Sequence, residues 1–312
     1  MIKSLWMLVA SLLFALMAAF ARMGASDFSA LELVFYRSAF GAAVIALWVW
    51  AQGFTLRTPL VRAHFMRSFL GTFALTIWFY AISKLPLGTA MTLNYTSPLY
   101  MALIVIFLAV KNGESFSRAS AAAVVLGFFG VTLVLKPELS PGQTFPALVG
   151  LTSGFFAALA YFQIRQLSRM QEPEWRIVFY FTLFGTIAGL IACYVVEGGL
   201  HMPNAQGLVG ILGMGLCATL GQICTTRSYA YGNMLLSSCL GFSAIPFSVI
   251  ISFFWFGESV TAATLTGAAV ILCSGMMATV ATKRTEAAEK AAKAAAEEAT
   301  KAEKAIESEK TA

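Results

Sequence analysis

Charge is scarce in this sequence, and its placement narrows the functions open to the chain. Charged residues are 12% of the 312, against about 25% in a typical soluble domain. Up to residue 282 the acids are Asp27, Glu32, Glu114, Glu138, Glu172, Glu174, Glu197 and Glu258. All fall in or beside the joints between long apolar runs. The two histidines, His64 and His201, also sit at run ends. With no acid or histidine mid-run, the sequence offers no proton relay. No Ser, Thr or Cys has a histidine placed as its general base, so no catalytic residue is assigned. A phosphate-cradling P-loop is absent, which disfavours ATP-driven work. The five cysteines, Cys193, Cys217, Cys224, Cys239 and Cys273, follow neither disulfide nor metal spacing. They read as small core residues, and no metal or cofactor is expected. Nor is there a clustered basic patch interleaved with aromatics, so nucleic acid is not an expected partner.

What is abundant is apolar sequence. Hydrophobic residues make up 59%, and the mean hydropathy is +0.77. A bilayer core about 30 Å thick takes roughly 20 apolar residues per helix. Ten runs of that order are expected to span, at 4–22, 31–51, 65–82, 87–110, 118–136, 145–168, 176–197, 206–230, 232–256 and 261–282. The period-2 alternation of a membrane β-barrel is absent. The net charge of +6 belongs to residues 1–282, because seven basic and seven acidic residues cancel in 283–312. That tail, rich in Ala, Glu and Lys, reads as a solvated and partly helical appendage.

The chain is internally duplicated. Val34-Phe35-Tyr36-Arg37-Ser38-Ala39-Phe40-Gly41 returns 144 positions later as Val178-Phe179-Tyr180-Phe181-Thr182-Leu183-Phe184-Gly185. Val, Phe, Tyr, Phe and Gly persist, while Phe181 stands at the place of Arg37. Ser11–Phe20 returns as Ser153–Phe162. That echo argues against reading the first run, with Lys3 ahead of it and Ala19-Phe20-Ala21 near its end, as a cleaved signal. Pro98 and Pro246 each precede a Gly-Glu pair, Gly113-Glu114 and Gly257-Glu258, with about one extra helical turn in the first copy. Five runs per copy is an odd number, so the halves must enter the membrane from opposite sides. The fold expected is an all-α polytopic membrane protein, ten transmembrane helices as two inverted five-helix repeats. Its divisions are 1–139, 140–282 and the tail 283–312. With the N-terminus inside, eleven joint Lys and Arg, Arg67 among them, lie on the cytoplasmic side. Three, Arg22, Lys84 and Lys136, lie outside. Both termini are then cytoplasmic.

These residues resemble the EamA family of the drug/metabolite transporter superfamily. The likeness rests on Glu32–Ser38, on Leu85-Pro86-Leu87-Gly88-Thr89-Ala90 and on Thr96-Ser97-Pro98-Leu99. The two Gly-Glu pairs and Thr226-Arg227-Ser228-Tyr229-Ala230 complete it. The Pro98-to-Gly113 spacing is longer than is usual there. The resemblance implies a ten-helix transporter of two inverted repeats, with a central cavity walled mainly by helices 3, 4, 8 and 9.

Arg37 is the leading candidate residue. It lies about 9 Å along its run at 1.5 Å per residue, and a guanidinium at such depth is costly unless it reaches water or a partner. It either pairs with Glu32 or reaches the outer interface, or it faces a cavity and takes a carboxylate or phosphate through its two-donor fork. Arg227, near the inner end of its run, is a substrate candidate or a snorkelling cap. Asn94 and Ser97 share a face, and Pro98 leaves the Asn94 carbonyl without its helical donor. Ser238 and Pro246 repeat that design, with the two prolines as kink or gating points. Trp78, Tyr80, Gln222 and Tyr229 complete the candidate binding residues, with an interfacial aromatic belt as the alternative for the rings.

The function expected is a secondary transporter of a small organic metabolite in a bacterial inner (plasma) membrane. An anionic or zwitterionic cargo such as a carboxylate or amino acid is favoured, moved by alternating access as exchange or facilitated diffusion. The expected partners are the metabolite and the lipid bilayer; the sequence leaves the oligomeric state open, a homodimer being one arrangement it allows. A membrane-embedded enzyme and a structural or assembly protein are the alternatives. Whether Arg37 and Asn94 face one pocket discriminates among them.

Overall fold

The computed structural model describes residues 2–24, 28–85, 92–113, 117–135, 142–201, 205–257, 261–281, 284–285 and 287–288. Among these every regular element is helical. A short turn at Ile2–Leu5 leads into α1 (Trp6–Gly24), followed by α2 (Ala30–Ala51), α3 (Val61–Lys84), α4 (Ser97–Asn112) and α5 (Arg118–Leu135). Then come α6 (Thr144–Arg169), α7 (Glu174–Ala192), α8 (Ala205–Tyr231), α9 (Met234–Gly241), α10 (Ala244–Phe256) and α11 (Ala262–Ala281).

Among the described residues, eight helical stretches are long and apolar enough to cross a membrane. Two further helices fall outside that set. α5 is shorter in its apolar part. α3 has the length, 24 residues, but carries Arg62, His64, Arg67 and Lys84. Large side chains such as Leu47, Trp50, Phe107, Val125 and Phe254 point outward. That would be an aggregation hazard in water and is the expected surface of a helix bundle in lipid. The protein is an integral membrane protein of several spans.

The helix ends follow from local chemistry. Ser29 and Glu32 form a reciprocal capping box at the start of α2, with Ser29 Oγ accepting from the Glu32 amide and the Glu32 carboxylate accepting from the Ser29 amide. Gly113 and Gly257 close α4 and α10 in the left-handed conformation, with φ of 68° and 65°. The expected spans 87–110 and 232–256 reappear as apolar stretches at Thr92–Asn112 and Met234–Phe256, but neither is one continuous helix. The first breaks at Tyr95–Thr96 and the second at Phe242–Ser243. At each break a hydroxyl turns back onto the carbonyl three residues earlier: Thr96 Oγ1 donates to Leu93 O and Ser243 Oγ to Leu240 O, both at 2.6 Å. Pro98 and Pro246 therefore do not kink running helices. They stand in the first turn of restarted ones, where the missing N–H costs little.

α1 packs along α8, α6 along α3, and α2 crosses α7. The α2–α7 crossing is reciprocal between the duplicated stretches. A Cβ on Gly41 would lie 3.0 Å from Thr182 Cγ2, and one on Gly185 would lie 2.8 Å from Ser38 Oγ. Ser38 and Thr182 occupy matching places in the repeat, as do the two glycines, so each copy offers a small residue to the other. The duplicated serines pair in the same crossed way. Ser11 of α1 donates to the carbonyls before the break at Phe242–Ser243, while Ser153 of α6 accepts from Asn94 beside the break at Tyr95–Thr96. Of the cysteines read as core, four are buried and Cys273 is exposed.

Candidate substrate cavity

The two helix breaks and the inner faces of α1, α2, α3, α6, α7 and α8 enclose a cavity of about 230 Å³. Arg37 and Asn94 both line it, as do Ser97, Pro98, Trp78, Gln222, Tyr229 and Ser238. Pro246 is buried outside the lining. Two binding candidates do not belong to the wall. Tyr80 is 39% exposed and packs edge-on against Phe145 on the outward side of α3. Arg227 pairs with Glu174 at 2.9 Å and lies over the Trp6 ring. Its cation is thus committed at the end of the bundle.

Arg37 is half-buried and opens onto the cavity. Among the described residues no hydrogen bond or ion pair reaches its guanidinium. The proposed partner Glu32 is committed elsewhere. Its carboxylate, fully buried, accepts from the amides of Ser29 and His201 and lies 3.0 Å from His201 Nδ1. That cluster ties the turn at His201 onto the start of α2, and Tyr36 strengthens it by donating to the His201 carbonyl.

The polar wall is ordered by the breaks. Asn94 Nδ2 donates to Ser153 Oγ at 3.1 Å, and Ser153 Oγ donates in turn to Gly150 O. Gly154, next along α6, lets this helix meet the break directly; a Cβ there would fall 2.4 Å from Thr96 Oγ1 and 3.1 Å from Asn94 O. On the facing wall, the Tyr229 ring stacks on Tyr161 with centroids 4.7 Å apart, and its hydroxyl lies 3.3 Å from Ser238 Oγ. Gln222 Nε2 is buried without a hydrogen-bond partner and faces the same space.

Arg67 is the residue that sequence reasoning misplaced. It was counted among the cytoplasmic joint residues, yet it is 2% exposed and lines the cavity. Helical spacing held a signal. Arg67, Gly71, Ala74 and Trp78 follow at i, i+4, i+7 and i+11, which is one face of α3. No Asp or Glu is among the described residues lining the cavity. At the start of α3, His64 is 1% exposed, with Nε2 3.6 Å from Glu172 Oε2, and Arg176 pairs with the same carboxylate at 3.0 Å. The expectation that these groups sit at run ends holds for position along the chain, but they are buried.

Among the described residues the wall is thus apolar, with a few hydroxyls and amides and two guanidiniums, and shows no arrangement of nucleophile and base. Comparison with known proteins agrees. The sequence model of the EamA-like transporter family matches twice, over residues 1–136 and 144–280. The chain is 29% identical over 265 residues to the pseudopaline exporter of Pseudomonas aeruginosa, covering 85% of this chain and 91% of that one. It is 26% identical over 283 residues to a riboflavin transporter of Vibrio cholerae, covering 87% and 90%. It is 23% identical over 245 residues to an S-adenosylmethionine uptake transporter of Rickettsia conorii, covering 77% and 80%. A crystal structure superposes with a TM-score of 0.79 at 19% identity, covering 91% of this chain and 98% of that one, a likeness of fold. With the family matched over both copies, this chain belongs to the EamA-like transporter family.

Proposed function

We propose that this protein is a secondary transporter of a small anionic or zwitterionic metabolite, such as a carboxylate or amino acid, working by alternating access as an exchanger or facilitator. The observation that carries the reading is the Arg37 guanidinium, unpaired and open to a cavity that no described acid lines. A buried cation without a protein partner is costly, and an anionic cargo group supplies the missing partner through charge-assisted hydrogen bonds. The names of the relatives support transport of small metabolites, though they differ in cargo. The test is counterflow in proteoliposomes with labelled carboxylates and amino acids. Uptake against preloaded cold substrate, competed by anions and not by organic cations, is the expected result. Uptake competed by cations alone would sink the reading. A second reading, coupling to protons, is favoured by the buried His64–Glu172 pair one turn from Arg67. An imposed pH gradient that drives uptake without counter-substrate would select it.

The halves, 1–139 and 140–282, are proposed to be inverted five-helix repeats, with 283–312 an appended cytoplasmic tail. The double family match and the reciprocal crossing of Gly41 and Gly185 support this. Moving Arg67 from the joint tally to the cavity leaves ten cytoplasmic Lys and Arg against three outside, still a strong bias. A reporter enzyme fused after residue 282 is therefore expected to read cytoplasmic. A periplasmic reading would overturn the topology.

A further inference from the structure

We infer that the cargo carries two separated anionic groups, and that Arg67 holds the second. The inference rests on the reading that Arg37 takes one such group. Arg67 is buried, and its Nε and Nη1 have no hydrogen-bond partner. The nearest compensation is the Phe181 ring, whose centroid lies 4.3 Å from the guanidinium carbon. A ring face offsets part of the cost of burying a cation but accepts none of its N–H groups.

The seat is shaped for a guanidinium. A Cβ on Gly71 would stand 2.3 Å from Arg67 Nη1 and 2.9 Å from Phe181. Phe181 is also the residue at the repeat position of Arg37. The duplicated position thus serves a cation in both copies, through its own charge in α2 and through the ring beneath Arg67 in α7. Both guanidiniums and the Tyr161 ring line one chamber. Two like charges in a space that no described acid lines repel each other. The two guanidiniums sit on different helices, α2 and α3, and one carboxylate carries a single negative charge, so it leaves one of the two cations uncompensated. A molecule with two carboxylates answers both.

The experiment measures binding to the purified full-length protein by calorimetry. The probes are linear dicarboxylates from succinate to pimelate, the matching monocarboxylates, and sulfate as a dianion with its charge on one centre. The best dicarboxylate is expected to bind about tenfold or more tighter than its monocarboxylate counterpart and than sulfate, the scale of one charge-assisted hydrogen-bonded pair. In Arg67→Gln the ratio to monocarboxylate should fall to within about twofold. Removing an unpaired buried charge does not threaten folding. Gly71→Ala is the second variant: it keeps the charge, displaces the guanidinium and should lose the same preference. A dicarboxylate preference that survives both substitutions, or sulfate or monocarboxylate binding as tight as dicarboxylate in the wild type, overturns this inference while leaving the Arg37 reading intact. Failure of every anion to bind overturns both.

Discussion

Arg37→Phe is expected to insert, fold and lose uptake of the anionic cargo. The substitution copies the other half of the chain, where Phe181 stands at the same place in the repeat and is buried beneath the Arg67 guanidinium. The shared fold therefore tolerates a phenyl ring there. Arg37 has no protein partner among the described residues, so removing it strands no carboxylate. What is lost is the contact to the cargo. A hydrogen bond to a charged group contributes about 1.5–3 kcal/mol, so uptake at low substrate should fall about tenfold to a hundredfold. Arg37→Lys should fall between, because an ammonium keeps the charge but not the planar fork. Uptake in proteoliposomes is read beside thermal stability. A variant that transports at the normal rate, or one that merely fails to fold, makes Arg37 structural and removes the basis for an anionic cargo.

Gly154→Ala is expected to damage the protein through geometry alone. The added methyl would lie 2.4 Å from Thr96 Oγ1, 3.0 Å from Leu93 O and 3.1 Å from Asn94 O. The first contact is the hydroxyl that seals the break, and the other two are backbone that cannot rotate aside. Overpacking of this kind costs about 1–3 kcal/mol. It also pushes α6 from the break, lengthening the bond between Ser153 and Asn94. Reduced thermal stability together with reduced uptake is the expected pair of results. Gly275→Ala is the control. Its methyl would meet Leu240 at an ordinary 3.5 Å, and alanine favours helix over glycine by about 1 kcal/mol. Equal behaviour of the two variants would show that the close approach at Gly154 does not matter.

The misreadings share a cause. Glu32 was weighed against Arg37 because they are near in sequence, but its partner, His201, is 169 residues away. Arg67 was grouped with Arg57 and Arg62 as a joint residue, yet α3 begins at Val61 and carries it inward. Tyr80 and Trp78 are two residues apart, so on a helix they differ by about 200° in facing; Trp78 points to the cavity and Tyr80 away from it.

Read alone, the sequence determined the apolar runs, the duplication, the family and several of the polar residues that line the cavity. Transfer into a bilayer is a sum over consecutive residues, so hydropathy reports it without knowledge of neighbours. Motifs such as Val34–Gly41 and Val178–Gly185 carry their kinship on their face. Only the tertiary structure decided which cations are free. Glu174 reaches Arg227, Phe181 lies under Arg67, and Arg37 meets no acid among the described residues, because helix packing chooses the partners. That choice depends on where small residues such as Gly41, Gly71, Gly154 and Gly185 let backbones approach, a property of pairs of helices that no single stretch of sequence contains.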